Sequence, residues 1–292
     1  MRRRTFLKST ATSLLGASLV RPALALPDGH PYVKTIGLQL WTVRNQLEQD
    51  VPGTIQAVAD AGYKQVELMR VLDADKYLPA ARDAGLGITS AFIDWESIGN
   101  PESGPSFDEI LEKGKQIGLK YLVFGYIGKG YRETVEHFQR HAERANQAGE
   151  KCRKAGIQLC YHNHSFEFAK LSGERAGWDV LVQEFDHALV KFEVDIFWVA
   201  IGGRDPINTM RTLNGRVAQV HLKDLLKGSK MQHDEGKVSD DAFKELGNGV
   251  LDIAKTVTVA QEVGVDQCHV EQDQSTDPID SIGQSLKHLQ RI

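Results

Sequence analysis

From Thr35 onward, short apolar runs alternate with longer helix-like segments, and this repeat constrains the fold more than any other feature of the chain. The strand candidates are TIGLQLW (35–41), KQVELM (64–69), GITSAFI (87–93), KYLVFGY (120–126), IQLCYHNH (157–164), LVKFEVDIF (189–197), RVAQVHLK (216–223) and QCHVEQ (267–272). Helix patterns such as 54–62, 107–118 and 131–156 lie between them. Gly62, Gly85, Gly118, Gly156 and Gly264 each stand just before a strand, where a left-handed helix cap favours glycine. Eight such units predict an α/β protein with one domain, a (β/α)8 TIM barrel. An open doubly wound sheet would show a glycine-rich dinucleotide turn after an early strand, and there is none. The longest irregular stretch, Asp224 to Gly249, follows the seventh strand and is expected on the barrel's C-terminal face, where barrel active sites form.

The first residues read differently. Arg3-Arg4 followed by Thr5-Phe6-Leu7-Lys8, a mildly apolar stretch to Val20 and Ala23-Leu24-Ala25 resemble a twin-arginine export signal with its cleavage site. The expected division is therefore a signal peptide at 1–25 and the barrel at 26–292, with an exported, periplasmic location. Loss of Arg2, Arg3, Arg4, Lys8 and Arg21 takes the net charge from −4 to −9 and leaves 267 of 292 residues. That charge gives no general attraction to nucleic acid. No apolar run reaches the roughly 18–20 residues of a membrane-spanning helix. Three cysteines form no complete disulfide framework, and Cys152, Cys160 and Cys268 read as buried free thiols.

The later strands end in residues too polar for packing. Alternation places His162 with His164 on one face, Glu193 with Asp195, His221 with Lys223, and His269 with Glu271. If these faces point inward, the barrel mouth gathers imidazoles and carboxylates from four consecutive strands. A lone strand histidine is usually an ordinary packed residue, but a buried carboxylate needs a partner. Four such strands together point to a site, and mixed His and carboxylate donors suit Zn, Mn, Fe, Co or Ni. His137, His141, His187, His233 and His288 fall on helices or loops and read as solvated.

The segments YHNHSFEF (161–168), VDIFWVAIGGRDP (194–206), RVAQVHLKD (216–224), GNGVLD (247–252) and VEQD (270–273), with GLQLWTVR (37–44), resemble the sugar phosphate isomerase/epimerase group. This is the xylose isomerase-like barrel superfamily (AP endonuclease family 2), which includes inosose dehydratases, ketose 3-epimerases and endonuclease IV. The resemblance implies one divalent ion (Mn, Zn, Co, Fe, Ni or Mg) at the mouth. Carried over position by position, the ligands are Asp195, His221 and Glu271. Where ketose epimerases carry a strand-five glutamate, this chain has His162, with His164 and Glu167 as alternatives. That departure weakens two-glutamate epimerisation and favours one-base isomerisation or elimination. The endonuclease reading fails because Trp198 stands where a further histidine is needed, and because strands three and four end in Ala91-Phe92 and Phe124-Gly125.

The expected function is a metal-dependent isomerase or epimerase acting through an enediolate on a sugar, keto-sugar or cyclitol. The alternatives are a lyase or dehydratase on a keto-sugar or keto-glycoside, and a non-catalytic sugar-binding barrel. Glu271 is the expected base, with His164 and Lys223 moving a second proton. Burial and the ion's charge would depress Lys223, whose plain alternative is an ion pair with Glu193 or Asp195. Trp41, Arg44, Glu67, Glu167 and Trp198 are candidate substrate contacts, and His269 a partner orienting Glu271. The partner is a small sugar, with no nucleic acid and no membrane span; homo-oligomerisation is compatible with this reading.

Overall fold

A computed structural model describes residues 30–292 except 172 and 174, so the signal at 1–25 lies outside the described residues. Eight parallel strands close a barrel in sequential order. They are β1 (Gly37–Gln39), β2 (Gln65–Leu68), β3 (Gly87–Phe92), β4 (Tyr121–Phe124), β5 (Gln158–His162), β6 (Val190–Asp195), β7 (Val217–Leu222) and β8 (Gln267–Val270), with β8 pairing back onto β1. The predicted (β/α)8 TIM barrel is the observed fold. Helices Val51–Ala61, Phe107–Gln116 and Val135–Lys154 occupy the expected positions. The five cap glycines all take positive φ, as at Gly118 (75°) and Gly156 (74°).

Each strand is shorter than its apolar run suggests, chiefly at its C-terminal end. At β6 the cause is visible: the Asp195 carboxylate accepts a hydrogen bond from Trp198 N at 3.0 Å and caps the helix Ile196–Ile201. Residues 196–197, expected as strand, are therefore the first turn of a helix. His164 likewise lies beyond the end of β5.

The barrel's outer face, with Leu38, Val66, Leu122, Leu159, Val194 and Val220, packs against the helices in one large core. Inside, Tyr121, Val123, Cys160 and Ala218 form a small apolar plug with Phe92. Between plug and mouth lies a layer of buried polar side chains: Gln39, Glu67, Ser90, Glu193, Gln219, His221 and His269. The strand register aligns this layer, pairing His162 with Glu193, Asp195 with His221, and His221 with His269. Gly37 gives the His269 ring its room, since a Cβ there would lie 2.1 Å from His269 Cδ2.

The stretch after β7 has its own order. Asp224–Leu225 pairs antiparallel with Phe243–Lys244. The Asp224 carboxylate accepts from Gly247 N (2.9 Å), Gly249 N (3.0 Å) and Leu251 N (3.0 Å), which returns the chain to the barrel. Gly249 is required there because a Cβ would meet Asp224 Oδ1 at 2.2 Å. The three cysteines are free and buried. His141, by contrast with the solvated expectation, is buried with Nε2 2.6 Å from Tyr131 O. Its helix face is turned against the loop after β4.

Candidate active site

A cavity of about 460 Å3 opens at the C-terminal end of the barrel. Its floor carries His162, Lys223, Glu271 and Asp273, its walls Trp41, Phe92, Tyr126, His164 and Trp198, and its roof Glu235, Asp240 and Phe243 from the segment after β7. That segment is the longest predicted loop, and it does lie over the mouth.

At the floor, His162 Nε2 lies 3.9 Å and His221 Nδ1 4.0 Å from the same oxygen, Asp195 Oδ2. His221 Nδ1 is also 2.7 Å from Glu271 Oε2. Ligand atoms of His162, Asp195 and His221 lie within 4.8 Å of one another. Asp195 Oδ2 is buried and lacks a hydrogen bond, although Lys223 Nζ stands 3.0 Å away. A buried carboxylate oxygen left in this way, facing two imidazole nitrogens, one of which also meets the Glu271 carboxylate, fits a divalent cation of the transition series. His162, Asp195, His221 and Glu271 are the residues that would hold it.

Lys223 is the neighbouring cation. Its ammonium contacts Asp195 (3.0 Å), Glu271 (2.8 Å) and Asp273 (2.6 Å), and not Glu193. Burial alone would lower its pKa; the charges of Asp195, Asp273 and Glu271 outweigh burial and hold it well above the usual lysine value. The expected depression of Lys223 is therefore overturned: burial acts in that direction, but the three carboxylates raise the pKa instead. Glu271, despite burial, is kept below the usual carboxylate range by Lys223 and His221, and is an ionised acceptor. His164 is lowered to about 3, first by burial and then by Lys223, and is neutral.

Beneath the floor, Glu67 Oε2 lies 2.6 Å from His221 Nε2. Glu193 Oε2 lies 3.2 Å from His162 Nδ1 and 3.3 Å from His221 Nε2. Burial, then the Glu67 charge, pushes Glu193 well above the usual carboxylate range.

Some expected residues stand elsewhere. Glu67 is under the floor and does not line the cavity. Glu167 is turned back into its own loop, accepting from Tyr161 OH (2.8 Å) and from His164 N (3.0 Å). Arg44 lies over the Trp41 ring at 4.4 Å and donates to Trp41 O, outside the lining. His269 does not orient Glu271, because neither of its ring nitrogens has a hydrogen-bond partner. Trp41 and Trp198 do line the cavity.

Residues unassigned from sequence also reach it. Asp273 belongs to the VEQD motif, a visible if unused signal. Glu235 comes from the long loop, anchored by Arg132 (2.7 Å) and Tyr126 OH (2.9 Å). Nothing periodic marks it.

Several known proteins are similar to this chain. An inosose dehydratase from Lacticaseibacillus casei is 24% identical over 160 residues, 50% of this chain and 52% of that protein, so the chain spans about half the length of the curated relatives it matches. The solved structure of a sugar phosphate isomerase/epimerase from Parabacteroides distasonis superposes with TM-score 0.70 at 23% identity, covering 95% of this chain and 98% of its own. A 3-keto-D-glucoside 4-epimerase from E. coli superposes with TM-score 0.64 at 14% identity, covering 88% and 99%. A barrel protein from Mycobacterium smegmatis, solved in complex with magnesium, gives TM-score 0.62 at 13% identity over 88% and 95%. Residues 55–292 match a single family, and with its closed eight-stranded barrel this chain belongs to the xylose isomerase-like TIM barrels.

Proposed function

We propose that this protein is a divalent-metal-dependent isomerase or epimerase of a neutral sugar, keto-sugar or cyclitol. The observation that carries the reading is the convergence of His162 and His221 on Asp195 Oδ2, a buried oxygen without a hydrogen bond, with Glu271 beside His221 Nδ1. When bound, the ion supplies a positive charge that polarises a carbonyl and acidifies the adjacent C–H.

The chain's own groups do the rest. Glu271 is ionised and accepts the proton from carbon. Lys223 holds a proton 2.8 Å from Glu271 and delivers it to the substrate's oxygen side. Asp273 fixes that ammonium at 2.6 Å. His164, neutral at the strand-five wall, offers a hydrogen bond to the substrate without itself becoming charged. Trp41, Phe92 and Trp198 bound the cavity with apolar faces that exclude water and suit a sugar ring. Glu235, Asp240, Glu271 and Asp273 against Lys223 make the lining acidic, which disfavours a phosphorylated substrate.

One observation favours a second reading, a lyase or dehydratase. The strand-five position carries His162 rather than a carboxylate, so there is no glutamate on that side to return a proton to carbon. Lys223 is then placed to protonate a departing hydroxyl, and the inosose dehydratase relatives are in keeping with this chemistry.

Incubation of the metal-loaded protein with keto-sugars in deuterated water separates these readings. Deuterium at the carbon beside the carbonyl, with all carbon–oxygen bonds intact, is the expected result. Loss of water or aglycone supports the lyase, and ligand binding without exchange leaves a sugar-binding barrel. We also propose that residues 1–25 direct export of the folded protein. The secreted form should then begin at Leu26 on N-terminal sequencing, and an uncleaved cytoplasmic product would refute it.

A further inference from the structure

The buried glutamate of β2 has no place in the mechanism above, yet it is among the most completely engaged side chains in the barrel. Glu67 is fully buried. Ser90 Oγ donates to its Oε1 at 2.5 Å, and Gln39 Nε2 donates to its Oε2 at 2.8 Å. His221 Nε2 lies 2.6 Å from the same Oε2. Three other strands therefore hold this carboxylate: β1 through Gln39, β3 through Ser90 and β7 through His221. Gln219 Nε2 extends the network, donating to Ser90 Oγ at 3.0 Å and to Glu193 Oε1 at 2.9 Å.

The directions of these bonds are fixed by chemistry. A side-chain amide NH2 only donates, so Glu67 Oε2 is an acceptor where Gln39 meets it. The same oxygen faces His221 Nε2, which must then carry a hydrogen. Nδ1 faces the ionised Glu271 and so carries a hydrogen too while no ion is bound; an ion taken up on that side would displace the Nδ1 hydrogen, and Nε2 would keep its own against Glu67. Nδ1 is the nitrogen on the mouth side, 2.7 Å from Glu271 Oε2 and 4.0 Å from Asp195 Oδ2.

We propose that Glu67 is a positioning residue: it locks His221 in the Nε2–H tautomer, so that the ion is bound through His221 Nδ1, and its charge makes that nitrogen a stronger donor. The inference rests on the metal reading of the preceding section. A carboxylate behind a ligating histidine fixes ring orientation and raises ligand basicity, and its loss typically lowers metal affinity about ten- to a hundredfold. The two parts of the effect are separable. Glu67→Gln keeps an acceptor oxygen for His221 once Ser90 accepts the amide, and removes only the charge. Glu67→Leu removes charge and acceptor together.

The test is Co(II) binding to wild type, Glu67→Gln and Glu67→Leu, by chelator competition and visible absorption, with 15N spectra of labelled histidine in the zinc-loaded wild type. The expected order of affinity is wild type, then Gln about tenfold weaker, then Leu about a hundredfold weaker. The wild-type spectrum should show His221 bound through Nδ1 with a protected Nε2–H. That spectrum needs no variant to fold. Binding through Nε2, or equal affinity in wild type and both variants, overturns the role of Glu67. So does a change of bound nitrogen in Glu193→Gln that is absent from Glu67→Gln. Failure of the wild type to take up any ion overturns instead the metal reading itself.

Discussion

Lys223 Nζ stands 3.0 Å from Asp195 Oδ2, and that oxygen nevertheless accepts no hydrogen bond. The ammonium lies among three carboxylates, its shortest contact being 2.6 Å to Asp273. It thereby compensates a concentration of negative charge that the protein has gathered at the barrel mouth. A cation bound by His162, Asp195, His221 and Glu271 would share that task.

Removing the ammonium should therefore have opposite effects on stability and on metal binding. Breaking a buried ion pair by removing one partner costs about 3–5 kcal/mol. Lys223→Met is expected to lower the stability of the metal-free protein by that order in urea unfolding. It should also bind the divalent ion more tightly than wild type, because a competing positive charge is gone. Weaker binding in the variant would show that Lys223 supports the ion rather than opposing it.

Glu167 makes stability depend on pH. Burial raises its pKa from the ordinary 4.5 to about 7 in the folded protein, against the hydrogen bonds from His164 N and Tyr161 OH that favour its charged form. The unfolded chain releases this proton first, so the stabilising contribution is complete below about pH 4.5 and is lost as pH rises through 7. The loss is about 3 kcal/mol. Glu167→Gln, which cannot ionise, should gain stability relative to wild type between pH 5 and pH 8. A difference in Tm that stays constant across that range contradicts the assignment.

The roof of the cavity is held by a small number of contacts. Glu235 is tied to Arg132 at 2.7 Å, and the Arg132 guanidinium lies 3.7 Å from the centre of the Phe166 ring. Hydrogen bonds between charged groups are each worth about 1.5–3 kcal/mol. Arg132→Ala should therefore speed amide exchange over residues 233–240 by about tenfold or more. Exchange in the barrel strands should not change. Unaltered exchange in that segment would mean that the roof is held elsewhere.

Much of this architecture is legible in the chain. Period-two polarity at the ends of β5 to β8 identifies His162, Asp195, His221 and Glu271 as neighbours, because parallel register converts sequence alternation into a shared face. The alternation of strands and helices, punctuated by glycines such as Gly118 and Gly156, identifies the barrel. What lies beneath the mouth is less accessible. Glu67 meets His221 only because closing the barrel brings β2 across from β7, and no local pattern encodes that approach. Glu235 reaches the cavity from an aperiodic loop, and Asp273 from beyond the end of β8. Glu167 looks like a site residue by its proximity to His162, yet the turn after β5 points its carboxylate back at His164 N. The strands end before their apolar runs do for a related reason: the polar residues that terminate them, Asp195 above all, bond to the following backbone and start a helix.

His162, Asp195, His221 and Glu271, on β5 to β7 and just beyond β8, are proposed to bind one divalent ion. Elemental analysis of the purified protein after metal loading and gel filtration tests this most directly. The wild type should carry one ion per chain, and Asp195→Ala, His221→Ala and Glu271→Ala should each lose it while retaining the far-ultraviolet spectrum of the folded barrel. Full occupancy in all three variants, or none in the wild type, would show that these residues are not the ligands.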